Sequence, residues 1–217
     1  VGTTDNPAEI ETNPKATEDD IAYILRHVAK YFSIPVSRTD VKASWSGLRP
    51  LVANLNAADT AKLSRDHVIN ISDAGLLTIA GGKWTTYRKM SLDAVNEAVK
   101  LGHLSAGESK TETLKLLGGR NFSPSGAGHL EEKYGVDHDV ASYLNRAYGD
   151  QAEHVAKLAQ GGYSAHLADG HAYLEAEVLY GARAEGARTS TDILARRTRL
   201  AFLDQAGARK AVVRVSQ

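Results

Sequence analysis

Arg49, Arg65 and Lys83 are cations in three separate segments, Arg49 beside Pro50 and Lys83 beside Gly82. Pro50 confines Arg49 to an extended conformation, and a guanidinium held in this way forks onto two oxygens of a phosphate or carboxylate. Lys83 follows Gly81 and Gly82 and precedes Trp84, Thr85 and Thr86. Two glycines remove the Cβ atoms that keep a ligand off the backbone. The first-turn N–H groups of a following helix lack internal partners and carry the positive end of its dipole. Such a corner suits an anion, with Lys83 adding charge and Thr85 and Thr86 adding hydroxyls. Gly81-Gly82 also reads as a plain tight connection, and Arg49 as a surface arginine in a turn.

The elements around these residues decide whether they meet. Leu76, Leu77 and Ile79 read as a strand, and Tyr87, Met90, Ala94, Val95 and Ala98 follow at helical spacing. Val68–Ile71, a turn at Asp73–Gly75, and Leu76–Ile79 predict an antiparallel hairpin. Arg65 then enters one strand near the end where Gly81 leaves the other. Val41–Ser46 alternates as a strand does, with Val41, Ala43 and Trp45 on one side, and Gly47 permits a bend that carries Arg49 off its end. Three cations without an acidic cluster repel one another unless a multiply charged anion lies between them, and a phosphate dianion meets that demand. Charged hydrogen bonds contribute roughly 1.5–3 kcal/mol each, so three supply about 4–9 kcal/mol before ordering costs. His67 either lines this site or has a hydrogen-bonded structural role.

Composition sets wide bounds. With 217 residues and 42% hydrophobic content, the chain can form a sizeable core and is expected to hold two folding units. Its 26 basic residues equal its 26 acidic ones, which gives no overall field for nucleic acid. From Arg183 to Gln217, eight Lys/Arg stand against three Asp/Glu. Zero cysteines exclude disulfides, thiolate metal sites and a cysteine nucleophile. No metal site is expected. No run approaches the roughly 18 apolar residues that cross a bilayer, so any membrane contact is expected at the surface.

Thr17 with Asp20 predicts a capped helix bearing Ile21, Ile24, Leu25, Val28 and Phe32. Residues 102–125 read as a connector around Leu114, Leu116 and Leu117. Helices are expected beyond it: one capped by Asp137 with Val140, Tyr143 and Leu144, one with Val155 and Leu158, one over Tyr173–Arg183, and one from Thr189 to Leu203. Arg196, Arg197 and Arg199 lie off the stripe of the last, as a solvated face or an interface to the rest of an enzyme. A helix-turn-helix or other non-catalytic interaction module is the alternative of a different class.

Ser46-Gly-Leu-Arg-Pro-Leu-Val52, Leu63-Ser-Arg-Asp-His-Val68 and Gly81-Gly-Lys-Trp-Thr-Thr-Tyr-Arg88 occur in this order, with Gly2-Thr-Thr-Asp5 ahead and Ala195-Arg-Arg-Thr-Arg-Leu-Ala-Phe-Leu203 behind. Together they resemble the FAD-dependent glycerol-3-phosphate dehydrogenases from Gly2 to about Val215. The resemblance implies an α+β chain: residues 1–101 a partial flavin- and substrate-binding α/β region with antiparallel strands, 102–125 a linker, and 126–217 an all-α C-terminal domain. It implies that sn-glycerol 3-phosphate gives a hydride from C2 to flavin N5, yielding dihydroxyacetone phosphate, with electrons passing to a quinone acceptor.

By position, Arg49, Arg65 and Lys83 would hold substrate, and Gly81, Gly82, Lys83, Trp84, Thr85 and Thr86 would face the flavin. No G-x-G-x-x-G is present; Gly126-Ala-Gly128 lacks the third glycine and follows no strand. The remaining FAD site and the general base are therefore expected in an N-terminal portion of the same enzyme, and this chain alone is expected to be inactive. The implied location is a membrane surface, either the cytoplasmic face of a bacterial inner membrane or the mitochondrial inner membrane. A glycerol-3-phosphate oxidase passing electrons to oxygen is the alternative among enzymes.

Overall fold

The computed structural model describes residues 1–49, 52 and 66–216. Among them the fold is α+β, with one antiparallel hairpin and a series of helices. The chain forms two compact units, Val1–Gly47 with Lys115–Gln217, and Leu48–Leu114.

In the first unit, α1 (Glu18–Tyr31) starts at the expected box: Thr17 Oγ1 accepts from the Asp20 N–H at 3.2 Å, and Asp20 Oδ2 accepts from the Thr17 N–H at 3.0 Å. Val41–Ser46 differs from expectation and is not a strand. An extended segment becomes one only when a neighbour completes its ladder. This segment leans on helices instead: Lys42 O accepts from the Gln205 N–H at 3.3 Å, and Trp45 meets Phe202 edge-on at 4.9 Å. A Cβ on Gly47 would meet nothing within 4 Å among the described residues, so no close contact requires glycine there.

The helices α3 (Gly126–Tyr134), α4 (His138–Tyr148), α5 (Ala152–Leu158) and α6 (Glu175–Ala184) enclose one core. Leu130, Leu144, Val155, Leu174 and Ala176 are buried in it. The expected stripe of Val140 and Leu144 is the buried face of α4. Gly126 serves the packing of α3 on α4, since a Cβ there would come within 2.5 Å of Asn145 Oδ1. Connector residues Leu114, Leu116 and Leu117 are exposed.

A second core gathers Leu167, Tyr173, Leu194, Leu200, Ala208 and Ala211. The single helix expected from Thr189 to Leu203 is broken. Thr189 and Asp192 form the predicted box, but residues Asp192–Arg197 wind as a π-helix. The Thr198 N–H reaches back five residues to Ile193 O at 2.9 Å, and its hydroxyl donates to the same carbonyl at 3.0 Å. Arg199 then turns left-handed, with φ 62°, ahead of α7 (Leu200–Leu203) and α8 (Gln205–Val215). The turn leaves Leu200 fully buried.

The second unit holds β1 (His67–Ile71), β2 (Leu77–Gly81) and α2 (Tyr87–Leu101). The strands pair antiparallel, with His67 opposite Gly81 and Ile69 opposite Ile79. The turn falls where predicted, with Gly75 at φ +81°. No described residue of this unit is fully buried. The hairpin and one helix among the described residues have too few layers to close a core.

Candidate functional site

The corner that joins β2 to α2 is built from backbone that only glycine adopts readily. Gly81 and Gly82 have φ of +78° and +75°. A Cβ on Gly81 would come within 2.9 Å of Asp66 O, and one on Gly82 within 2.5 Å of Met90 Sδ. The protein's own side chain therefore fills the space under Gly82. Lys83 is extended, and Trp84–Thr86 form a 3-10 turn that leads into α2. Thr86 Oγ1 accepts from the Lys83 N–H at 3.1 Å and donates to Lys83 O at 3.0 Å. Its hydroxyl is thereby spent on the turn itself. Trp84 and Thr85 contribute the first-turn N–H groups that a helix start leaves without internal acceptors. Trp84 is 88% exposed, with its ring stacked on Tyr87 at 5.7 Å.

A half-buried brace lies against this corner. His67 Nε2–H donates to Asp93 Oδ2 at 3.0 Å, and Asp93 Oδ1 accepts from Lys89 Nζ at 2.5 Å. The lysine bond, followed by the His67 bond, holds the Asp93 carboxyl below the usual carboxylate range against partial desolvation. The His67 side chain is 11% exposed, and its Nδ1 lies 3.2 Å from Asp66 Oδ1 without hydrogen-bond geometry.

Of the predicted residues, Gly81, Gly82, Lys83, Trp84, Thr85 and Thr86 form this single corner. Arg49 is exposed and belongs to the same unit. Arg65 lies outside the described residues. An open groove of about 530 Å³ runs between β1 and α2, lined by His67, Asn70, Asp93, Asn96, Glu97 and Lys100 among others. Two carboxylates against one lysine do not make it an anion site, and Lys83 is absent from its lining. Among the described residues, no group of acidic and histidine side chains could hold a metal ion.

Two polar features escaped the sequence reading. A hydrogen-bonded structural role for His67 was expected but its partner was not: the bond to Asp93 joins elements 26 positions apart, and no local spacing signals it. Glu177 is fully buried, accepting from Tyr143 Oη at 2.6 Å, Tyr148 Oη at 2.8 Å and the Leu174 N–H at 2.7 Å. Its place as the third residue of α6 was the available clue.

Residues 109–217 match the family model for the C-terminal domain of alpha-glycerophosphate oxidase, and residues 1–88 match that for FAD-dependent oxidoreductases. The chain belongs to the FAD-dependent glycerol-3-phosphate dehydrogenase family. It is 46% identical to the mitochondrial glycerol-3-phosphate dehydrogenase of Rattus norvegicus over 99% of its own length. The corresponding enzyme of Arabidopsis thaliana is 43% identical over 99% of the chain. The crystal structure of the Bacillus halodurans glycerol-3-phosphate dehydrogenase complexed with FAD superposes with a TM-score of 0.74 at 31% identity over 98% of the chain. The chain spans 30% of the rat relative, 37% of the Arabidopsis one and 43% of the Bacillus one. The family resemblance seen in the sequence motifs thus holds along almost the whole chain.

Proposed function

We propose that this chain is the C-terminal part of a flavoenzyme that oxidises sn-glycerol 3-phosphate to dihydroxyacetone phosphate. The observation that carries this reading is the Gly81–Thr86 corner in a chain 46% identical, along 99% of its length, to a glycerol-3-phosphate dehydrogenase. FAD fits the corner's donor chemistry. Backbone N–H groups at Trp84 and Thr85 and the Thr85 hydroxyl suit the electron-rich pyrimidine edge of an isoalloxazine. FAD, when bound, supplies the hydride acceptor. Lys83, Arg49 and Arg65 bind the substrate phosphate and oxygens, and the start of α2 places positive potential where negative charge grows during reduction. The adenine and pyrophosphate sites, with the general base, belong to the N-terminal part of the same enzyme. We assign residues 1–101 to the flavin and substrate region, 102–125 to a linker and 126–217 to the helical domain.

Electrons then pass to a quinone at a membrane surface, on the mitochondrial inner membrane or the cytoplasmic face of a bacterial one. The mitochondrial names of the relatives support this setting, and no described helix is long and apolar enough to cross a membrane. The match of residues 109–217 to an alpha-glycerophosphate oxidase domain favours a second reading, with oxygen as acceptor. Hydrogen peroxide formed in step with turnover distinguishes the two. The test of the first reading is anaerobic addition of sn-glycerol 3-phosphate to the full-length protein, which should bleach the flavin absorbance. Lys83→Ala should lower kcat/KM by roughly 10–100-fold, the loss of one charged hydrogen bond of about 1.5–3 kcal/mol. A flavin that stays oxidised, or a Lys83→Ala enzyme with unchanged kcat/KM, overturns the reading.

A further inference from the structure

We propose that His67, through its bond to Asp93, is a positioning residue that fixes the Gly81–Thr86 corner against the hairpin. The inference rests on the reading above for what the corner faces, but the brace itself stands on the geometry. Gly81 and Gly82 are the least constrained residues a chain can place in succession, since neither has a side chain to lock and both hold positive φ. The 3-10 turn that follows has no buried residue, and neither does α2. Something else must set the direction in which Lys83, Trp84 and Thr85 leave the strand.

His67 is placed to do so from three sides. It is the rung partner of Gly81 across the hairpin. Its Cβ is 3.3 Å from where a Cβ on Gly82 would stand. Its ring crosses to α2 and donates to Asp93, ten residues beyond Lys83, at 3.0 Å. The loop from Gly81 to Asp93 is therefore closed at both ends by one residue, by a ladder position at the first and a side-chain bond at the second. Lys89 bonds to the other Asp93 oxygen, Oδ1, from an exposed side chain and leaves Oδ2 to the histidine. With the brace cut, the two glycines can swing, and the helix start no longer meets its ligand at a fixed distance.

The experiment uses the full-length enzyme with His67→Leu, which fills the space without a donor, and His67→Gln, whose amide N–H still reaches a carboxylate. Asp93→Ala removes the acceptor, and Lys89→Ala controls for loss of the exposed ion pair. Two quantities are read. Hydrogen exchange at the bonded amides of Lys83, Thr86 and Tyr87 should accelerate at least tenfold in His67→Leu and Asp93→Ala. The flavin midpoint potential should fall by about 30 mV, the equivalent of a tenfold weaker preference for the reduced form. His67→Gln and Lys89→Ala should stay within threefold of wild type on both.

A role in packing alone gives the reverse order, with His67→Leu near wild type and His67→Gln impaired, and that order overturns the proposal. So does unchanged exchange and potential in His67→Leu. Should His67→Leu not fold, Asp93→Ala decides by the same two readings. A wild-type enzyme whose flavin is not reduced by sn-glycerol 3-phosphate sinks the functional reading, while the exchange measurement still judges the brace.

Discussion

The Tyr143 hydroxyl donates to Glu177 Oε1 at 2.6 Å, inside the helical unit and away from water. Tyr148 donates to the same oxygen, and the Leu174 N–H donates to the other. Burial nonetheless raises Glu177 from its usual value to about 7, because desolvation outweighs the three donors. The same burial, with the carboxylate beside them, pushes both tyrosines far above their normal range.

The consequence is a stability slope with a defined sign. Between pH 4.5 and about 7 the folded protein holds a proton on Glu177 that the unfolded chain has released. Folding stability contributed at this site is thus fully present below that window and declines as pH rises through it, by up to about 3 kcal/mol. Glu177→Gln cannot titrate. The difference in denaturation midpoint between wild type and Glu177→Gln should therefore move against wild type from pH 5 to pH 8, and a flat difference would refute the assignment.

A second prediction concerns the close approach of two backbones. Gly118 and Gly149 both have positive φ, of +89° and +58°, and a Cβ on Gly149 would lie within 1.9 Å of Gly118 O. The Asp150 N–H donates to that same carbonyl at 2.9 Å, and Asp150 Oδ2 accepts from the Asn121 N–H at 3.0 Å. Gly149→Ala must either break this contact or strain the turn, at a cost of about 1–3 kcal/mol. Gly161→Ala, where a Cβ would meet nothing within 4 Å, should cost less than about 0.5 kcal/mol. Urea denaturation of the two variants measures the contrast.

Local signals were legible in the sequence, and partnerships between distant residues were not. The Thr17–Asp20 box, the turn at Gly75 and the glycine corner each involve residues within a few positions, and each formed as read. Val41–Ser46 has the right alternation for a strand, but alternation says nothing about whether a neighbour is present to pair with it. The Thr189–Leu203 pattern carried its cap correctly and still broke, because Thr198 rebonds to Ile193 and frees the chain to turn at Arg199. The helix α8 went unread although Asp204 caps it by accepting from the Gly207 N–H at 2.9 Å and Ala208 and Ala211 follow at helical spacing. Its small apolar residues give a weak stripe.

At the corner, Gly82→Ala should act through backbone strain more than through crowding. Met90 Sδ, the nearest atom to the added Cβ at 2.5 Å, is part of a flexible side chain that can yield, whereas φ +75° cannot be relieved. The expected cost is about 1–2 kcal/mol in stability. Combining it with Met90→Ala should recover little of the loss. Full recovery in the double variant, measured by thermal denaturation, would show that crowding dominates and that the positive φ is incidental.

The basic stretch after Arg183 has two kinds of arginine. Arg196 is exposed and pairs with Asp192 one turn earlier at 2.8 Å, an interaction of the surface class that contributes little to stability. Arg197 is half-buried: its Nη2 donates to Glu185 O at 2.5 Å, and its Nε lies 3.3 Å from Glu185 Oε2. That oxygen is buried and has no hydrogen bond of its own. Removing Arg197 leaves a carboxylate partly buried without its counter-charge, so Arg197→Ala should destabilise by about 2–3 kcal/mol while Arg196→Ala stays close to wild type. An arginine held inside its own fold cannot also grip an external phosphate. Flotation with anionic and neutral liposomes should therefore be insensitive to Arg197→Lys under conditions where the protein stays folded. A loss of anionic-lipid binding in a folded Arg197→Lys protein would place that guanidinium at an outer surface and contradict the pairing with Glu185.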